Sequence, residues 1–407
     1  MSLRARMAVV ATGLLVTSLG WPGILGRLPF ALLLKNELHL PAHRVAAFWA
    51  ISTFAWYVKP LVGLLCDAYP LLGTRRRGYL LTGALASTAT WLAFALVPRE
   101  YGALLGVMVA LNLALVVVSV ATGGLLVETG QRHGATGRLS GLREGIVSAS
   151  SLVAGPLGGW LATRAFGWTV GLGAALAFAL VPVVLLFGRE ERGARVDTGV
   201  LTAARAQLGV IVRSRAMWAT SALVFLVYLA PGFQTPLLYH QQDVLRFDPR
   251  LIGLVQAVGG GSSLLGAAVY VALCRRVPLR ILLPVGILLN AGATLLFLGY
   301  ASPTSAFVIN AVGGALGMLG VLPLYDLAAR AAPRGSESFG YALVMSVQNV
   351  AIYAVSDVLG SYLYGGLHWP LQKLVWVNAL STLAVLAFLP LLPRALTAAR
   401  EGAAISA

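Results

Sequence analysis

Apolar runs of about twenty residues or more alternate with short polar gaps from one end of the chain to the other. The runs cover residues 7–34, 44–65, 78–97, 102–128, 139–162 and 168–187, then 216–238, 251–273, 279–300, 304–327, 338–365 and 371–392. As a helix, each is long enough to cross roughly 30 Å of hydrocarbon. The pattern predicts an all-α membrane protein of about twelve transmembrane helices. The widest polar gap divides it into an amino-terminal six-helix bundle (1–187), a cytoplasmic central loop (188–215) and a carboxy-terminal six-helix bundle (216–407).

Composition strengthens this picture. Of 407 residues, 58% are hydrophobic and 11% charged, with a mean hydropathy of +0.83; a soluble chain spends about a quarter of its residues on charge. The net charge of +16 does not point to nucleic acid, because the arginines fall in short gaps between apolar runs. Counting Lys and Arg in alternate gaps gives twenty on one side and seven on the other, with Arg27, Lys59 and Arg143 inside runs. Both termini and the central loop are therefore expected in the cytoplasm, with the protein in the plasma (inner) membrane. Arg4 and Arg6 before an apolar stretch are compatible with a secretory signal, but the run continues to Leu34 with Arg27 inside it, so a retained first helix is expected.

The halves echo one another. Leu65-Cys66-Asp67-Ala68-Tyr69-Pro70-Leu71 parallels Leu273-Cys274-Arg275-Arg276-Val277-Pro278-Leu279, each closing the second run of its half. Glu128 with Arg132, ending the fourth run, parallels Asp326 with Arg330, ending the tenth. Together they suggest a duplicated bundle. The glycine clusters Gly123-Gly124, Gly259-Gly260-Gly261 and Gly313-Gly314 lie inside apolar runs and read as helix packing and mobility, not as a phosphate loop.

The sharpest local signal is Trp56-Tyr57-Val58-Lys59-Pro60, followed by Gly63, Asp67, Pro70, Gly73 and the cluster Arg75-Arg76-Arg77. Gly63, Asp67 and the arginines resemble the loop signature of the major facilitator superfamily. With Leu34-Lys35-Asn36-Glu37-Leu38-His39-Leu40-Pro41-Ala42 upstream, and Phe339, Leu343, Ser346, Asn349 and Gly360 in the eleventh run, the chain resembles the folate–biopterin transporter family. The resemblance implies the major facilitator fold, with a folate or pterin as solute and a proton as coupling ion. Two departures stand out: Ser119 and Gly123 occupy positions where that family usually carries acids, leaving only Glu128, and Gly78 replaces the proline that commonly follows the arginines.

Ionisable groups inside the bilayer are costly and tend to face a cavity or a partner. Arg27, Lys59 and Arg143 are candidate contacts for an anionic solute, with Trp56 and Tyr57 as stacking surfaces and Gln256 and Asn349 as polar contacts. Glu144 and Asp357 are candidate coupling acids; the alternative for each is an internal salt bridge. Gly63, Asp67, Arg75, Arg76, Arg77, Glu128, Arg132, Asp326 and Arg330 are the candidate gating set, with Glu128 and Asp326 expected to pair with Arg132 and Arg330 one helical turn on. His39 and His43 are spaced for a metal, but Pro41 separates them and no third ligand is near, so neither a metal nor a cofactor is expected. Nor is there a catalytic constellation or an ATP-binding motif. The expected function is secondary active transport by alternating access of a small, anionic, aromatic solute, with the lipid bilayer and protons as partners. The alternatives are an assembly factor for a pigment–protein complex and a carrier of an unrelated organic anion.

Overall fold

The structure is a computed structural model that describes residues 3–133, 136–188, 190, 198–274, 276–333 and 337–397. Among these residues helices alone build the fold, and they fall into two compact units, Met1–Leu40 with Ile51–Ala204, and Pro41–Ala50 with Arg205–Ala407.

The first stretch of chain contains α1 (Leu3–Ser18), α2 (Arg27–Leu32), α3 (Ala42–Ser52), α4 (Phe54–Tyr57), α5 (Lys59–Ala68), α6 (Arg77–Ala93), α7 (Tyr101–His133), α8 (Thr136–Leu161) and α9 (Phe166–Phe187). Next come α10 (Thr198–Arg213), α11 (Arg215–Leu229), α12 (Gln234–Tyr239), α13 (Pro249–Cys274), α14 (Leu279–Leu295) and α15 (Pro303–Ala331). The last are α16 (Glu337–Asn349), α17 (Asp357–Gly365), α18 (Leu371–Ala384) and α19 (Arg394–Thr397). Eight stretches, from Tyr101–Thr129 to Leu371–Leu391, are long and apolar enough to cross a membrane among the described residues. Several of the apolar runs are broken, and the breaks carry information.

The runs 7–34 and 216–238 read from the sequence as continuous. In the structure the first unwinds between α1 and α2 across Trp21-Pro22-Gly23, the second between α11 and α12 across Ala230-Pro231-Gly232. Proline lacks the N–H that the ladder needs and pushes its predecessor to extended backbone, which Ala230 adopts at φ −49°, ψ 136°. Both broken helices then follow one plan. A single shift in numbering carries α2 onto α12, the π-helical turn Leu33–Glu37 onto His240–Val244, the left-handed His39 (φ 51°) onto Arg246 (φ 56°), and the start of α3 onto that of α13. The hydrogen bonds correspond too: Leu38 N to Leu33 O and Leu40 N to Leu34 O match Leu245 N to His240 O and Phe247 N to Gln241 O.

The run 44–65 is interrupted as well. Val58 (φ −102°, ψ 12°) separates α4 from α5, so Pro60 falls in the first turn of a new helix, where its missing N–H is least harmful. Lys59 is thereby the first residue of α5.

Glycines permit the closest helix crossings. A Cβ at Gly320 of α15 would lie 2.8 Å from Gly286 O of α14, and one at Gly360 would lie 2.7 Å from the Gly232 carbonyl carbon in the α11–α12 break. The second unit's core gathers Leu223, Val224, Leu283, Ile287, Leu324, Leu327 and Val344. In the first unit Trp91, Phe30, Met108 and Leu111 are among the largest fully buried side chains.

Candidate functional site

Helix α7 organises the chemistry of the first unit. Asn112, fully buried, anchors its amide by donating from Nδ2 to Met108 O one turn back, 2.9 Å. Its Oδ1 then accepts two indole N–H groups, Trp21 Nε1 at 2.9 Å and Trp56 Nε1 at 2.8 Å. The two indoles lie 5.5 Å apart between centroids, tilted by 59°. Two turns further along α7, on the same face, Ser119 Oγ accepts from Lys59 Nζ at 2.8 Å. The same ammonium sits 5.0 Å from the centroid of the Trp56 ring, within cation–π range.

The break before α5 makes this arrangement possible. It brings Trp56 on α4 and Lys59 on α5 to one side, while Tyr57 turns its hydroxyl to Thr53 Oγ1 at 2.9 Å. Arg143 on α8 is exposed and is a like-charged neighbour of Lys59. Arg27 opens α2 and is half-buried. Gln256 and Asn349 belong to the second unit, on α13 and at the end of α16. The side chain of Glu144 lies outside the described residues.

A second cluster lies at the ends of α5, α6 and α7. Arg76 Nη1 is 2.6 Å from Asp67 Oδ1 and its Nε donates to Glu128 Oε1 at 2.9 Å. The guanidinium rests on the bare Cα of Gly124, where a Cβ would come within 2.6 Å of Nη1 and 2.7 Å of Nε. Burial alone would lower the Arg76 pKa; the two carboxylates outweigh it and hold the pKa above its ordinary value. Glu128 accepts from Arg76, which reaches across from the loop; the expected Glu128–Arg132 pair falls on the side chain of Arg132, which lies outside the described residues. Gly63 faces α7, but a Cβ there would meet Val120 at an ordinary 3.8 Å, so this packing does not require a glycine.

The loop carrying the arginines is held from behind by Glu190, a residue that no sequence motif singles out. Its carboxylate accepts from three successive backbone N–H groups, Arg75 and Arg77 at 2.9 and 2.8 Å and Arg76 at 3.1 Å. A carboxylate there satisfies donors at the start of α6 and complements the helix dipole. Gly78 also gains a reason. Its N–H donates to Thr74 Oγ1 at 2.8 Å, and a Cβ would lie 2.8 Å from the Leu71 carbonyl carbon. Proline at that position would lose the first and collide with the second.

In the second unit Arg330 grips Asp326 through two 2.8 Å bonds along α15, and Tyr270 Oη donates to Asp326 Oδ2 at 3.4 Å. Asp357 is buried, and its carboxylate accepts from Thr235 N at 3.0 Å and Thr235 Oγ1 at 2.7 Å, at the start of α12. The same break is tied by Ser356 Oγ to Ala230 O (2.6 Å) and Asn378 Nδ2 to Pro231 O (2.9 Å). Among the described residues no cluster of three or more His, Cys, Asp or Glu is placed to hold a metal.

Comparison with known proteins gives this architecture its context. A family model described as the BT1 family matches residues 22–404. A protein of Synechocystis sp. named "Folate-biopterin transporter" is 28% identical, over 91% of this chain and 79% of its own length. The Arabidopsis thaliana protein named "Probable folate-biopterin transporter 4" is 21% identical, over 82% and 83%. Among solved structures, a D-xylose-proton symporter aligns with a TM-score of 0.71 at 13% identity, covering 95% of this chain and 97% of that one. The nucleoside transporter NupG gives 0.72 at 13%, covering 96% and 99%. At those identities the structural likeness speaks for the fold, which is that of the major facilitator transporters, about twelve transmembrane helices in two six-helix bundles. The chain belongs to the BT1 family and is an integral membrane transporter, not an enzyme.

Proposed function

We propose that this chain is a secondary transporter for a small, flat, anionic heteroaromatic solute of the folate or pterin class, moved by alternating access. The observation that carries the reading is the Lys59 ammonium, held by Ser119 at 2.8 Å and set 5.0 Å from the Trp56 ring centroid. Among the described residues Lys59 has no carboxylate partner, so a solute carboxylate supplies the missing charge while its ring meets the indole face. The names of the relatives point to the same solute class. Asp67, Arg76 and Glu128 form the gating cluster of the first unit, and Asp326 with Arg330 the corresponding pair of the second.

The driving force is a proton gradient, with Glu144 as the coupling acid favoured here, because Asp357 is committed to Thr235. The protein lies in the inner membrane with both termini cytoplasmic, as the distribution of Lys and Arg implies. The test is uptake by sealed proteoliposomes of folic acid, biopterin and a size-matched neutral pteridine, with and without an imposed pH gradient. Uptake of the carboxylate-bearing solute, enhanced by an inwardly directed proton gradient, is expected. Saturable uptake of none of the three would overturn the solute class; uptake indifferent to the gradient would overturn the coupling.

A further inference from the structure

Two indoles of the first unit converge on one buried atom. Asn112 Oδ1 has two lone pairs, and Trp21 and Trp56 fill both with indole N–H groups at 2.9 and 2.8 Å. Asn112 cannot swing to release them without giving up its own anchor on Met108 O. The Trp21 ring in turn lies across the backbone of Gly23, where a Cβ would sit 2.5 Å from the ring carbons Cη2 and Cζ2. The break between α1 and α2 thus carries an indole folded back on itself, and the glycine there leaves room for it.

We infer that Asn112 is the positioning residue of the solute site, locking Trp21 and Trp56 as one aromatic wall beside Lys59. This rests on the reading that a flat anionic solute binds at Lys59, and it adds Trp21 as a wall residue that charge and motif did not mark. Both indoles are half-buried, so part of each ring remains open to a solute, whereas Asn112 is fully enclosed and touches none. Its effect is preorganisation: the rings stand in place before the solute arrives, and binding does not have to order them. One residue fixing two rings also couples the unwound segment of the first broken helix to the α4–α5 junction.

The lock can be read without any ligand. Ultraviolet resonance Raman spectra report hydrogen bonding at the indole N–H, and difference spectra of the full-length protein against Trp21→Phe and Trp56→Phe isolate each of the two among the nine tryptophans. Both isolated indoles are expected to be hydrogen-bonded in the wild type and to lose that signature together in Asn112→Leu. Asn112→Asp, which keeps an acceptor in place, restores it. An indole that is free in the wild type, or still bonded in Asn112→Leu, overturns the inference, as does failure of Asn112→Asp to restore the signature. With folic acid as probe, Asn112→Leu should weaken equilibrium binding about tenfold, the order expected when two neutral hydrogen bonds no longer hold the site. Unchanged affinity despite the lost signature would also overturn the role in the site. Should Asn112→Leu fail to fold, Trp21→Phe and Trp56→Phe each remove one N–H and keep a ring, and each should cost about threefold. If folic acid does not bind the wild type, the proposed solute class falls, and the Raman contrast decides on the lock by itself.

Discussion

Two adjacent glycines offer a clean test of the Arg76 cluster. A methyl on Gly124 would approach Arg76 Nη1 to 2.6 Å and Nε to 2.7 Å, whereas one on Gly123 meets nothing within 4 Å. Both lie inside α7, so Gly→Ala at either position gains about 1 kcal/mol of helix propensity. Gly123→Ala should keep that gain. Gly124→Ala must displace the guanidinium and surrender its contacts with Asp67 (2.6 Å) and Glu128 (2.9 Å). Asp67 and Glu128 are 42% and 36% exposed, so solvent screening discounts each pair to about 0.5–1 kcal/mol. The loss of about 1–2 kcal/mol cancels or slightly exceeds the propensity gain. Thermal unfolding should therefore place Gly124→Ala at or just below the wild type and Gly123→Ala above it. Function should separate them further. Solute counterflow in proteoliposomes should fall severalfold in Gly124→Ala and stay near normal in Gly123→Ala. The reasoning is refuted if the two variants shift stability and counterflow alike.

Three further outcomes are expected. Lys59→Ala should weaken binding of carboxylate-bearing solutes at least tenfold and neutral pteridines much less, while Lys59→Arg retains part of the affinity; equal losses in a thermal-shift titration would assign Lys59 to the fold. Glu190→Gln retains an acceptor but loses the charge facing three N–H groups at the start of α6, and should cost about 1 kcal/mol in reversible unfolding, with a weaker dependence on ionic strength than the wild type; an unchanged midpoint would show that the carboxylate does not hold the loop. Asp357→Asn leaves Thr235 with one acceptor oxygen where it had two, and should destabilise the second unit by about 1–3 kcal/mol while sparing proton-driven accumulation per folded molecule; normal stability with lost accumulation would return Asp357 to the coupling role.

The helical layout of the apolar runs and the basic loop after Asp67 could be read from the sequence because membrane insertion acts on hydropathy and charge directly, whereas α10 (Thr198–Arg213) inside the expected central loop could not. The breaks could not be placed so well. Trp21-Pro22-Gly23 and Ala230-Pro231-Gly232 carry the residues that unwind helices, yet both sit in runs whose mean hydropathy favours continuity, and only tertiary partners decide the outcome. Asn112 was within reach: a lone amide in the apolar run 102–128 needs a partner by the same argument that marked Lys59. Glu190 was not, because a carboxylate among the charges of a polar gap carries no sign that it will turn back onto the start of α6.

The duplicated plan sharpens what the two units do differently. Each has a broken helix followed by a π-helical turn and a left-handed residue at matching positions. The parallel that joins Glu128 to Asp326 also carries Asn112 onto Asn310, whose Nδ2 likewise donates to the carbonyl one turn back, Ala306 O at 2.8 Å. The shared scaffold therefore includes an amide anchored on the fourth run of each half. In the first unit that amide holds two indoles beside a lysine. In the second, the break is pinned by Asp357, Ser356 and Asn378, and Gly360 brings backbone against backbone. Each of these ties consumes a polar group that would otherwise be available to a solute. On the proposed reading the labour is divided: the second break is a fixed joint, whereas the first, tied through Trp21 and Asn112 to the α4–α5 junction with Trp56 and Lys59, serves the surface that meets the solute. Substitutions at the second break should accordingly appear first as lost stability, and those around Asn112 first as changed selectivity.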